Sequence, residues 1–142
     1  MLAECNNTEI KVLERVYLPK SLGHFYSAVC NYIGFEKFGE EYKVMGLSAY
    51  GEDKYSDYFN DLIGYDEKFC LRQKNIFNYN SIDYKKNQII KFNKGMFLDK
   101  KVEKFSQESK DIAKSLQVVF EKIVMQIIDR LQKKVPSNNL VM

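Results

Sequence analysis

Ile112, Leu116, Val119, Ile123, Ile127 and Leu131 recur at spacings of 4, 3, 4, 4 and 4, and Phe120, Val124 and Ile128 widen the band. Only a helix brings such positions to one side. The flanking residues agree. Ser106 stands where an N-cap hydroxyl accepts from the first free amides. Glu108 and Asp111 lie near the positive end of the helix dipole, and Arg130, Lys133 and Lys134 near the negative end. Pro136-Ser137-Asn138 stops the helix. A helix over 106–134 is roughly 40 Å long at 1.5 Å per residue. A rod with one apolar stripe cannot bury it alone, so the other elements must be layered against it. Asn139-Leu140-Val141-Met142 then reads as the first residues of a buried strand, which makes helix, loop and strand an α/β crossover. An apolar strand that stops as it begins predicts a chain cut from something longer.

What precedes this helix is mixed. Residues 2–5 and 10–18 flank Asn6-Asn7-Thr8, and Asn tolerates the positive φ of a tight turn. Ile10, Val12, Val16 and Leu18 share one parity, so a β-hairpin ended by Pro19 is expected. Ser21 then caps a helix whose face is Leu22, Phe25, Tyr26, Val29 and Ile33, with Gly34 just past its end. Residues 40–50 predict a second helix, with Tyr42, Met45, Gly46 and Ala49 on one side and Gly51 as cap. Residues 54–63 predict a third, carrying Tyr55, Tyr58, Phe59 and Leu62, stopped by Gly64. From 65 to 105 the apolar residues come in short runs. Ile89, Ile90 and Phe92 suit a short strand, and Asn93-Lys94-Gly95 a turn. The expected fold class is therefore α/β in the mixed α+β sense. It is one partial domain over 1–142, with a hairpin and motif helices (1–64), an irregular insertion (65–105), and a long helix leading to a strand (106–142).

Charge and cysteine content narrow the partners. The net charge of +3 comes from lysines scattered among nearly as many acids, with no basic face, so no nucleic acid is expected. Three cysteines, Cys5, Cys30 and Cys70, are odd in number and form no zinc spacing. No stretch approaches the ~18 apolar residues of a membrane span, and no leader is evident, so a cytoplasmic chain without membrane contact is expected.

Residues 21–51 hold the only His and five of the seven Gly. His24 has no second His to work with, and Cys30 lies about 600° further round a helix, so a Cys-His nucleophile is rejected. The stretch Gly39-Glu40-Glu41-Tyr42-Lys43-Val44-Met45-Gly46-Leu47 is different. Its Gly leads into a helix start, where free amides favour anions. Lys43 can pair with a phosphate, Glu40 or Glu41 can accept from ribose hydroxyls, and Gly23 and Gly46 allow close approach. No Walker or G-x-G-x-x-G motif is present, and by pattern alone a helix with surface charges is the better explanation of the stretch.

The residues themselves carry a resemblance. Pro19, Ser21, Leu22, Gly23, Tyr26, Ser27, Ala28, Gly34, Phe35, then Glu41-Tyr42-Lys43-Val44-Met45-Gly46-Leu47, Tyr50 and Gly51 resemble the signature of the carbamoyltransferases, the family of nodulation and antibiotic O-carbamoyltransferases. Ser48 replaces the family's usual Ala. Asp111-Ile112-Ala113, Gln117, Phe120-Glu121 and Asn139-Leu140-Val141 resemble the helix and strand before the family's Gly-Gly loop. The resemblance covers most of the chain and is loosest over 65–104.

It implies an internal fragment of an N-terminal domain of the actin-like ATPase and sugar-kinase superfold. The activity implied is transfer of a carbamoyl group from carbamoyl-adenylate, made from carbamoyl phosphate and ATP, to a small-molecule hydroxyl. Gly23, Glu41, Lys43 and Gly46 are the implied nucleotide-binding residues. The family's metal-binding His cluster, which holds iron or magnesium, and its Gly-Gly loop have no counterpart in this sequence. Activity is therefore expected only with the remainder of the transferase or a complementing fragment. The rival expectation is a non-catalytic interaction module that keeps a vestigial nucleotide site. The resemblance does not name the acceptor.

Overall fold

A computed structural model describes residues 1–17, 21–65, 71–73 and 102–141. Pro19, Cys70 and most of the 65–105 insertion, with its expected strand and turn, lie outside the described residues. The described residues are mixed α and β: a hairpin, four helices and a second short strand pair.

Strands β1 (Leu2–Asn6) and β2 (Glu9–Glu14) pair antiparallel around a two-residue loop closed by Asn6 opposite Glu9. Asn7 takes φ 51°, the left-handed conformation that such loops demand. β2 ends at Glu14, four residues short of expectation. Leu2 pairs with Glu14, and no described strand lies beside Arg15, Val16 and Tyr17. The apolar parity does not seat the hairpin on the core, for Ile10 is 67% exposed. Glu14 ties it down instead, receiving Arg130 at 3.3 Å and Lys134.

Helix α1 (Leu22–Tyr32) starts and stops as its sequence predicts. Ser21 Oγ accepts from the His24 amide at 3.3 Å, and Gly34 takes φ 91° beyond the last turn. Phe25, Val29 and Ile33 are fully buried. Helix α2 (Glu41–Leu47) is shorter than expected and tightens into a 3₁₀ turn (Ser48–Tyr50), where Ser48 Oγ donates to the Met45 carbonyl at 2.6 Å. Helix α3 (Ser56–Leu62) buries Phe59 and Leu62. Gly64 does not stop it. Ile63, β-branched and buried, already turns extended and opens strand β3 (Ile63–Tyr65), which pairs antiparallel with β4 (Leu71–Gln73).

Helix α4 (Gln107–Lys134) is the predicted rod, with Ser106 Oγ accepting from the Ser109 amide at 3.1 Å. Its stripe is buried from Ile112 to Ile123, against α1, α2 and α3. Phe25 meets Phe59 edge to face at 5.9 Å, and Tyr26 meets Phe120 at 5.1 Å. Tyr26 spends its hydroxyl on Gln117 Oε1 at 2.9 Å. The expected C-terminal strand is not formed. Residues 136–141 are irregular and Val141 is 95% exposed. A strand needs a ladder partner, and no described strand lies alongside this segment.

Candidate functional site

Helix α2 turns two faces to two media. Val44 and Leu47 are buried, whereas Tyr42 and Met45 are 65% and 54% exposed. The side that carries Tyr42, Met45, Gly46 and Ala49 thus faces outward. A Cβ placed on Gly46 would meet nothing within 4 Å, and one on Gly23 would meet only Ser21 Oγ at 3.8 Å. Neither glycine is required by packing among the described residues. Both leave open surface over which a ligand ring or backbone can come close.

Glu41 is held against α1. Ser27 Oγ donates to Glu41 Oε1 at 2.7 Å, and Ser27 lies one turn along α1 from Gly23 on the same side. Lys43 turns to Glu40, its Nζ 2.8 Å from Glu40 Oε1 and 5.8 Å from the Tyr42 ring centroid. The hydrogen bond to Lys43 holds the Glu40 carboxyl below the usual carboxylate range, and the same bond raises the Lys43 ammonium. Glu40 Oε2 also accepts from the Lys37 amide at 3.3 Å. His24 donates its backbone amide to the Ser21 cap of α1, and its side chain is half-buried.

The far end of the motif is clamped to α4. A Cβ on Gly51 would lie 2.0 Å from the Lys110 carbonyl oxygen, so only glycine lets the two backbones meet. Asp111, whose side chain is 4% exposed, accepts from the Glu52 amide at 2.9 Å, Lys54 Nζ at 2.6 Å and Gln107 Nε2 at 2.8 Å. Ser115 Oγ, one turn on, accepts from the Lys54 and Tyr55 amides at 3.1 and 2.9 Å. Burial pushes the Asp111 carboxyl up, but these donors outweigh it and leave the carboxyl below its ordinary value. Lys54 is raised by its bonds to Asp111 and Glu52. This clamp fixes where the outward face of α2 points.

Of the four predicted site residues, Glu41 is held by Ser27, one helical turn along α1 from Gly23. The structure sets Lys43 and Gly46 on the exposed side of α2. The sequence offers Glu40 only as an alternative to Glu41 for a ribose hydroxyl, not as the partner of Lys43, and it does not single out the Asp111–Ser115 clamp. One signal was available for the clamp: two short polar residues, four apart, interrupt the flank of an otherwise apolar stripe. Nothing local marks Glu40 over Glu41.

Metal and redox-active side chains are sparse here. Among the described residues no three of His, Cys, Asp and Glu stand close enough to hold a metal ion, so the residues present do not fit the metal that the resemblance implies. Cys30 is buried, and burial pushes its thiol well above the usual range. Among the described residues no helix is long and apolar enough to cross a membrane.

Comparison with known proteins agrees along the whole chain. Residues 2–142 match the family model described as carbamoyltransferase N-terminus. The chain is 31% identical to the uncharacterized protein sll1178 of Synechocystis sp., over 88% of this chain and 21% of that protein. It is 30% identical to nodulation protein NolNO of Sinorhizobium fredii, over 90% of this chain and 17% of that one. It is also 30% identical to the uncharacterized protein MJ1051 of Methanocaldococcus jannaschii, over 96% of this chain and 25% of that one. The chain spans between about a sixth and a quarter of the length of these relatives. A match of this extent, carried through both the α2 motif and the long helix, means that the chain belongs to the carbamoyltransferase N-terminal family.

Proposed function

We propose that this chain supplies one wall of the nucleotide site of an O-carbamoyltransferase, as part of a domain of the actin-like ATPase superfold. The carrying observation is that the family match runs through the Glu41–Leu47 string, and this string lies on a helix whose outward face has open space at Gly46. In this reading Gly23 and Gly46 admit the nucleotide, Lys43 pairs with its phosphoryl charge and Glu41 accepts from a ribose hydroxyl. The donor is carbamoyl-adenylate. The acceptor hydroxyl oxygen bonds to the carbamoyl carbon, the bond from that carbon to the phosphate oxygen breaks, and adenylate leaves with the electron pair while the hydroxyl proton passes to solvent. No step is assigned to a metal, and the residues for bond making lie in segments that complete the transferase.

Two measurements test this. Lys43→Ala in the complete transferase lowers nucleotide affinity by on the order of tenfold, the worth of one charge-assisted contact. Unchanged affinity removes Lys43 from the site. In a single-turnover assay with carbamoyl-adenylate and an alcohol, the 142-residue chain transfers nothing, and metal-dependent transfer by it would overturn the assignment of the chemistry elsewhere. A second reading has its own support. Phe38, Tyr42, Met45 and Tyr50 are all exposed around the motif, as an interaction module would have them. Retention of partner binding with no nucleotide affinity would favour it.

A further inference from the structure

Lys104 comes from the segment before α4, more than sixty positions beyond Glu40, and yet it reaches this hub of the motif. Its Nζ is 4.0 Å from Glu40 Oε1, the same oxygen that holds Lys43 at 2.8 Å. Its position is over-determined. Nζ lies 4.2 Å from the centroid of the Phe35 ring and 5.7 Å from that of Phe105, and the two rings meet edge to face at 5.6 Å. Lys104 Cβ passes so close to Gly34 that a Cβ there would sit 3.3 Å from it. Phe105 takes φ 66°, a conformation bulky residues avoid unless their surroundings hold them.

Two ammonium groups therefore converge on one carboxylate, and the Glu40 side chain is only 11% exposed whereas the two lysines are 43% and 37% exposed. The Glu40 carboxylate thus stands between the two cations. With Glu40 turned away, the same two ammonium groups face the point it leaves. That is the arrangement that suits a phosphoryl group, whose several oxygens can take two ammonium donors at once.

We propose that Lys104 is a second phosphoryl-binding residue beside Lys43, and that Glu40 is the resident anion which occupies both lysines until a ligand phosphate takes its place. This rests on the nucleotide-site reading above and deepens it. Glu40 sets a threshold: a ligand must out-compete a tethered carboxylate, which a polyphosphate does and a monoanion such as carbamate does not.

The test titrates inorganic pyrophosphate into the full 142-residue chain, followed by calorimetry. Glu40→Gln keeps the shape and one acceptor for the Lys37 amide while removing the competing charge. It binds pyrophosphate at least about tenfold more tightly than wild type, the low end for a unit charge removed at about 4 Å, where exposure of both lysines to solvent brings the effect close to its size in bulk water. In that background Lys43→Met and Lys104→Met each weaken binding at least about fivefold, and Lys104→Arg retains it. The Met side chain still fills the slot between Phe35 and Phe105, and the Arg variant reports on charge if Met perturbs folding. The proposal is overturned if Glu40→Gln binds no more tightly than wild type, including no binding by either, or if Lys104→Met in that background matches its parent. Loss of nucleotide affinity with Lys43→Ala but not with Lys104→Met in the complete transferase sinks this proposal alone, whereas no loss with either sinks the nucleotide-site reading beneath it.

Discussion

The two halves of α4 hold the chain by different means. In the first half Ile112, Leu116 and Val119 are buried to within a percent, Asp111 and Ser115 accept five hydrogen bonds from the 51–55 loop and Gln107, and the Lys110 backbone presses on Gly51. In the second half Ile127 and Leu131 are half-buried, Met125 is exposed, and the hairpin attaches through Glu14 to Arg130 and Lys134. One oxygen of Glu14 takes both cations, and its other oxygen is buried without a partner among the described residues. Burial and backbone contact are short-ranged and unforgiving. An ion pair at a helix flank is screened, and it is worth little unless its geometry is closed on every side. The difference locates rigidity under the α2 motif and looseness under the hairpin.

The strongest way to break this contrast is Gly51→Ala. The added methyl cannot sit 2.0 Å from a carbonyl oxygen, so either the loop or the start of α4 must move. The expected cost is about 3 kcal/mol, at the upper end of overpacking effects, read from urea unfolding. Gly46→Ala, placed within α2 where nothing lies within 4 Å, is the internal control: it does not destabilise and gains up to about 1 kcal/mol of helix propensity. Equal effects at the two glycines would show that the clamp is not what fixes the motif.

The charge in the clamp gives a smaller, pH-dependent effect. Asp111 is depressed in the folded chain, so its contribution is present above the ordinary Asp value of about 3.9 and is lost as pH falls through the folded value. Lys54 is raised, so its contribution is present below the ordinary Lys value of about 10.4 and is lost as pH rises through its folded value. Between these limits the clamp is pH-independent. Asp111→Ala costs about 2 kcal/mol at neutral pH through its lost hydrogen bonds. Asp111→Asn flattens the acid limb of stability against pH. An acid limb as steep in Asp111→Asn as in wild type would assign acid lability to other carboxylates.

Periodicity made the scaffold legible and left its joints obscure. The stripe from Ile112 to Ile123, the Ser21 and Ser106 caps and the Asn7 turn are local, and each appears where short-range chemistry puts it. The failures all involve partners. Residues 139–141 have strand chemistry and no described strand beside them. Gly64 has stop chemistry, but Ile63 is drawn into pairing with Gln73. The end of β2 is set by its register with β1. At the candidate site, Lys43 was legible as a cation on an exposed turn. Its first neighbour Glu40 is local, one helical turn back, but that Lys104 stands behind the pair depends on a contact more than sixty residues apart in sequence. The clamp has the same character, with Gly51 meeting Lys110 and Lys54 meeting Asp111.

The smallest effect is the sharpest test of the looser half. Ile10 has the chemistry of a core residue in an alternating strand, yet the hairpin leaves it 67% exposed. Ile10→Thr keeps the β-branched shape that suits a strand and removes apolar surface already in contact with water. Its cost should be under about 0.5 kcal/mol, whereas Ile112→Val, which trims one methylene at a fully buried site, should cost about 1 kcal/mol. Both are read from urea midpoints at several protein concentrations. If Ile10→Thr costs more than Ile112→Val, and the cost grows with concentration, the hairpin face is covered in solution by another copy of the chain, and the looseness ascribed to that half belongs to the monomer only.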